Sequence, residues 1–157
     1  MPFGEAPSQH LVNRAFAVLD RIVQVKAVSP LYRSPAWPDP ADPPYVNAAA
    51  LVETAMGPHA LLAALHAVEA GFGRRRGAPN APRTLDLDLI AYGDARCDEA
   101  AGTLPGGLRL PHPRFAERDF VLAPICDIAP DWCDPETGRS VRALLAGLPV
   151  RSARRIS

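Results

Sequence analysis

Residues 85–89 read Leu-Asp-Leu-Asp-Leu, a strict alternation of apolar and acidic side chains. Period two is the signature of a β-strand with one buried face. Side chains two apart share a face, so Asp86 and Asp88 project one way and Leu85, Leu87 and Leu89 the other. Two strand rises set the backbone positions of the acids about 7 Å apart. Carboxylates so placed can converge on a hard, oxygen-seeking cation. Just upstream, residues 73–83 read GRRRGAPNAPR, four arginines in a stretch that Gly and Pro keep out of a helix. Two acids beside four cations suit a metal–polyphosphate complex. Spacing alone leaves a second account open: a solvent-facing strand edge neutralised by the neighbouring arginines.

The whole chain is electrically neutral, with 17 basic and 17 acidic residues, so no global field draws it to nucleic acid or an anionic membrane. An anion site must therefore be a local cluster, and 74–83 is the first candidate. A second basic run, Arg151 to Arg155, sits in a C-terminal tail at about 149–157 and is expected to fray. The 157 residues fit one domain with a real core. Cys97, Cys126 and Cys133 are odd in number and lack CxxC spacing, which points to free thiols in a reducing compartment. The N-terminal residues carry no secretory pattern, and no apolar run reaches the roughly 20 residues a bilayer demands. A cytoplasmic, monomeric protein that binds neither nucleic acid nor membrane is expected. The 18 prolines cluster in connections, which they stiffen.

Taken in order, residues 7–22 carry apolar side chains at helical spacing, with Ser8 as a candidate cap. Residues 24–33 alternate like a strand, but Pro30 cannot donate to a ladder, so an edge strand or bulge is expected. Residues 34–44 hold five prolines around Trp37, an extended stiff loop. Residues 45–54 read as a strand with Tyr45 and Asn47 on one side. Residues 58–72 form an amphipathic helix on which His66 and Glu69, three apart, are surface neighbours. After the acidic strand, residues 94–107 form a polar surface excursion and 108–110 a short strand. His112, between two prolines, is expected to expose its ring. Residues 114–128 are helical with an interruption at Pro124, residues 134–139 a turn, and residues 140–145 a short helix. The order is α-β-β-α-β plus a helical tail, an α+β ferredoxin-like βαββαβ sandwich whose first strand is missing from the chain.

Five segments in order carry a family resemblance: YRSPAW at 32–37, YVNAA at 45–49, GRRR at 73–76, PRTLDLDLIAYG at 82–93, and LPHPRFAERDFVLAPICDIAPDW at 110–132. Together they resemble 6-hydroxymethyl-7,8-dihydropterin pyrophosphokinase, a transferase of folate biosynthesis, from about residue 8 to 148. The resemblance implies transfer of diphosphate from ATP to the pterin hydroxymethyl oxygen, with release of AMP. It implies that Asp86 and Asp88 hold two Mg²⁺ ions on the ATP phosphates. Such an arrangement suits in-line displacement, which needs positioning and charge neutralisation more than a strong base. By the same resemblance, Arg74 and Arg83 stabilise charge on the transferring group. Arg76, His112 and Arg118 lie nearer the ATP, with Glu69 also on the nucleotide side. Tyr45 and Phe120 sandwich the pterin, Asn47 reads its edge, and Ser34, Pro35 and the lid residue Trp37 complete that side. Without the resemblance, Phe120 reads as a core aromatic of its helix.

Two departures stand out. Residues 78–81, Ala-Pro-Asn-Ala, replace a stretch where the family often carries a further Arg and a Trp, and Arg75 is the available substitute. The family also starts with an apolar strand ending in Gly-Ser-Asn, which the chain from Met1 does not contain; Met1 is then expected to be an internal methionine. Losing a central strand removes many hydrogen bonds of about 1 kcal/mol each, comparable with a domain's whole stability of about 5–15 kcal/mol. That motivates a rival reading, a truncated and catalytically impaired homologue acting as a binding protein. A ferredoxin-like nucleic-acid binder is disfavoured, because two bare aspartates on the sheet would repel phosphates.

Overall fold

The computed structural model describes residues 7–35, 39, 41, 44–72, 85–98, 108–149 and 151–156. The first amphipathic segment is helix α1, Pro7–Leu19, which buries Ala15 and Leu19. The segment expected to be one strand over 24–33 is two, β1 (Gln24–Val28) and β2 (Tyr32–Ser34). The break falls at Pro30, which has no N–H to give a ladder. Ser29 bridges it, its N–H donating to the Ala49 carbonyl at 2.8 Å and its Oγ accepting from Ala49 N at 2.9 Å. The run over 45–54 divides in the same way, into β3 (Tyr45–Asn47) and β4 (Ala50–Glu53).

β1 pairs antiparallel with β4, with an irregularity between Val25 and Ala27, and β2 pairs antiparallel with β3. Helix α2, Pro58–Gly71, turns Leu61, Leu65, Val68 and Glu69 inward. Two-residue strands β5 (Cys97–Asp98) and β6 (Arg109–Leu110) pair with each other. A 3-10 turn at Phe115–Glu117 leads into α3, Asp119–Ile128. The helix runs on through Pro124 rather than stopping there. The ring is fully buried in its second turn, so packing offsets the one helical bond that proline cannot make. Ser140 caps α4, Val141–Ala146, by accepting the Ala143 N–H at 3.1 Å.

The expected fraying of the C-terminal tail is overturned. Arg154–Arg155 form β7 on the free edge of β2, and Ile156 N–H reaches the Leu31 carbonyl at 2.8 Å. The edge of β2 offers unpaired backbone groups that the tail satisfies.

The α+β reading with antiparallel sheets holds. Among the described residues, however, the ladders fall into three small sheets, β1-β4, β3-β2-β7 and β5-β6. Residues 85–89, expected as a strand, belong to none of them. The alternation itself is real: Leu85 is buried, Leu87 and Leu89 are partly buried, and Asp86 and Asp88 are exposed. What differs is where the backbone bonds go. Leu87 N–H donates to a side chain, Oε2 of Glu69, and the Ile90 carbonyl accepts from His112 N–H. Those partners are not a strand, so the segment is extended without a ladder.

Its leucines still join the core. Leu85 packs with Ala15 and Val68, while Leu87 and Leu89 lie against Leu19, Val23, Leu61 and Leu65. A second cluster, Phe115, Leu122, Val141 and Leu144, joins α3 to α4 and receives Ile90. Each such leucine removed from water contributes about 1.5–3 kcal/mol, which fixes the orientation of the intervening aspartates. All three cysteines are free, and among the described residues no helix is long and apolar enough to cross a membrane.

Candidate active site

The acidic segment is pinned at four points. In its middle, Glu69 of α2 is 4% exposed and accepts the Leu87 N–H at 2.6 Å, between the two aspartates. Downstream, His112 N–H holds the Ile90 carbonyl at 2.8 Å. Tyr92 Oη donates to the Met56 carbonyl at 2.5 Å, and Trp132 Nε1 donates to the Gly93 carbonyl at 3.0 Å. Gly93 has φ of 59°, a left-handed turn that glycine takes without a side-chain penalty. Trp132 is itself seated edge-on against buried Phe115, with ring centroids 5.7 Å apart.

Glu69, expected on the nucleotide side, is buried on α2 and bonded to the acidic segment. It carries the aspartates by holding their backbone. Helical spacing from Leu61 and Leu65 carries the inward face round to Glu69, so a lone carboxylate there needs a buried donor.

Asp86 and Asp88 face a broad cleft of about 2380 Å³. Its wall includes Ser34, Pro35, Tyr45, Asn47, His112, Arg118 and Phe120. Strand pairing explains one side of it. Ser34 lies opposite Tyr45, and Asn47, two residues along, shares that face. Asn47 Nδ2 donates to the buried Ser34 Oγ at 2.9 Å, which fixes the amide.

The other side comes from the start of α3. Arg118 caps the helix, and its guanidinium carbon lies 5.7 Å from the centroid of Phe120. Phe120 is partly buried and lines the cleft. Between them Asp119 is buried, and its Oδ2 accepts from Ser152 N at 2.6 Å and Ala153 N at 2.7 Å. Asp119 carried no signal in the sequence, because its partners lie more than thirty residues away. The same holds for Tyr32, whose hydroxyl donates to Asp127 of α3 at 2.5 Å. Burial and this bond to a carboxylate push its phenol up to about 12.

His112 is half-buried, not exposed as its proline flanks implied. Burial pushes its imidazole below the usual value and Arg118 adds to that, while Asp88 opposes them. The neutral form is therefore favoured near pH 7. The expected residues Arg74, Arg76, Arg83 and Trp37, with Arg75, lie outside the described residues.

Two exposed carboxylates on one side of a fixed backbone fit Mg²⁺. That ion needs one or two protein carboxylates and takes its other ligands from water and substrate phosphates. Among the described residues no group of three His, Cys, Asp or Glu converges as a closed cage. The arrangement suits a cation that arrives with a polyphosphate.

Comparison with known proteins gives a consistent result. Residues 4–130 match the family 7,8-dihydro-6-hydroxymethylpterin-pyrophosphokinase (HPPK). A 2-amino-4-hydroxy-6-hydroxymethyldihydropteridine pyrophosphokinase of Synechocystis sp. is 42% identical over 78% of this chain, which spans 60% of that protein. The protein of the same name from Pseudomonas aeruginosa is 38% identical over 96% of this chain and 90% of its own length. That of Methylorubrum extorquens is 37% identical, covering 85% of this chain and 80% of the relative.

Proposed function

The chain belongs to the 7,8-dihydro-6-hydroxymethylpterin-pyrophosphokinase family, and on that footing we propose that its cleft transfers diphosphate from ATP to the hydroxymethyl oxygen of 6-hydroxymethyl-7,8-dihydropterin. The new bond joins that oxygen to the β-phosphorus, the bond from the β-phosphorus to the α-side oxygen breaks, and AMP leaves. One observation carries this reading: Asp86 and Asp88 line the same cleft as Tyr45, Asn47, Arg118 and Phe120. That shared lining supports a phosphate-side role for the aspartates and Arg118 and a pterin-side role for Tyr45, Asn47 and Phe120.

Tyr45 and Phe120 stack on the pterin, and Asn47, held by Ser34, pairs with its polar edge. Ser34 and Pro35 belong to the same pterin side, a role the family resemblance extends to Trp37. His112 and Arg118 meet the ATP. His112 in its neutral form offers a hydrogen bond without adding charge, and Arg118 supplies the charge. Arg74 and Arg83 stabilise the transferring group, and Arg76 meets the phosphates. Asp86 and Asp88 hold two Mg²⁺ ions, which supply charge neutralisation to the phosphates. With reactants so oriented, positioning accounts for much of the acceleration.

The test is direct. Purified protein with ATP, the hydroxymethyl dihydropterin and Mg²⁺ should give AMP and the pterin diphosphate in equal amounts. Formation of ADP, or AMP without pterin product, rules the reading out.

A further inference from the structure

The segment after α4 reaches back across the molecule to both walls of the substrate cleft. At one end Ser152 and Ala153 give their N–H groups to the same oxygen of Asp119, at 2.6 and 2.7 Å. Asp119 is only 7% exposed and opens α3, where the helix N-terminus favours a negative charge. Its two neighbours, Arg118 and Phe120, line the cleft, as does Ser152. At the other end Arg154 and Arg155 pair with Arg33 and Tyr32, and Ile156 N–H closes on Leu31. β2 runs directly into Ser34, which holds Asn47. Tyr32 adds a second tie, from β2 to Asp127 on α3.

We propose that residues 152–156 are a positioning clamp for the substrate-binding wall, with Asp119 as its positioning residue. The clamp fixes the spacing between the β2–β3 edge that carries Ser34 and Asn47 and the helix start that carries Arg118 and Phe120. The inference rests on the reading of that wall as the pterin site. The acidic segment is held by other residues, Glu69, Tyr92, His112 and Trp132. Loosening the clamp therefore costs substrate ordering while the aspartates keep their positions. A preformed wall binds without that ordering cost, so the effect falls on binding before it falls on the chemical step.

The experiment uses the full chain with Asp119→Ala, Asp119→Asn and Ala153→Pro. Asparagine keeps one carbonyl oxygen for the two donors but loses the charge. Proline at 153 removes one donor and leaves Asp119 untouched, in a segment outside the core. Steady-state rates, the Mg²⁺ dependence of turnover, thermal melting and amide exchange of Ser152 and Ala153 are measured together. Exchange of the Ser152 and Ala153 amides should be slow in the unmodified protein and fast in Asp119→Ala. KM for the pterin should rise about tenfold in Asp119→Ala and Ala153→Pro, equivalent to about 1.4 kcal/mol. Asp119→Asn should lie between them and the unmodified protein. In all three, kcat and the Mg²⁺ dependence should stay near the original.

A lowered melting temperature with unchanged KM overturns the clamp, because it makes the contact merely structural. Fast exchange of both amides in the unmodified protein overturns it too. Absence of pterin-dependent AMP formation by the unmodified protein sinks the functional reading instead, and the exchange result stays separate from it.

Discussion

Replacing Glu69 with alanine removes the acceptor that holds the Leu87 N–H, the backbone donor of the residue between the two aspartates. The bond is 2.6 Å long and its carboxylate is 4% exposed, so water replaces it poorly. A hydrogen bond to a charged group contributes about 1.5–3 kcal/mol, and a buried donor left unpaired costs about 1–3 kcal/mol. These describe the same loss from two sides, so Glu69→Ala should lower stability by about 2–3 kcal/mol. The larger consequence is local. Among the described residues no ladder supports residues 85–89. Loss of this bond therefore frees the stretch that carries the aspartates, the other three ties all lying downstream of Asp88. Misplacing a reacting group by about 1 Å can cost about 100-fold in rate. Steady-state turnover titrated with Mg²⁺, beside a thermal melt, measures both effects. The expected result is a kcat/KM lowered about 100-fold, with more Mg²⁺ needed for half-maximal rate. Glu69→Gln, which keeps an acceptor of similar shape, should fall between. A folded Glu69→Ala protein whose kcat/KM and Mg²⁺ dependence stay within about twofold of the original refutes the reasoning.

Two further outcomes follow from the titratable groups and their partners. Tyr32→Phe should cost about 0.5–1.5 kcal/mol, the worth of one hydrogen bond, read as a lower denaturation midpoint. The Tyr32 phenol sits at about 12 in the fold against 10.0 unperturbed, so the stability it contributes is present below pH 10 and fades as pH rises through about 12. An ultraviolet pH titration should find one late-ionising tyrosine that Tyr32→Phe removes. His112 has the opposite sense. Its folded value lies below 6.5, so the unfolded chain binds more protons just below that pH. Without Mg²⁺, stability should therefore fall as pH drops below 6.5, and His112→Gln should flatten that part of the profile.

The sequence made the facing of side chains legible and left their partners hidden. Alternation at 85–89 correctly turned Asp86 and Asp88 outward, because burial of leucines on one side is a local property of the pattern. It did not reveal that the backbone would bond to Glu69 and His112, since a ladder depends on which edge lies alongside. Pro30 was readable as a break because a missing N–H is intrinsic to the residue. Pro124 was misread because a helix can carry a proline when the ring is buried, which is decided by tertiary packing. The basic tail was misread for the same reason. Its charges suggest solvent, while its backbone finds β2 and its turn finds Asp119, contacts fixed by topology across the whole chain. Tyr45, Asn47, Phe120 and His112 carry no such local signal: they are expected at the site through the family pattern alone, and all four line the cleft.

Asp86→Ala and Asp88→Ala put the central claim to the most direct test. Each removes one exposed carboxylate and leaves Leu85, Leu87 and Leu89 packed with the core. Turnover of ATP and hydroxymethyl dihydropterin to AMP should be lost in both variants, while binding of the pterin stays close to that of the original protein. Mg²⁺-dependent AMP formation that survives in both variants contradicts the account.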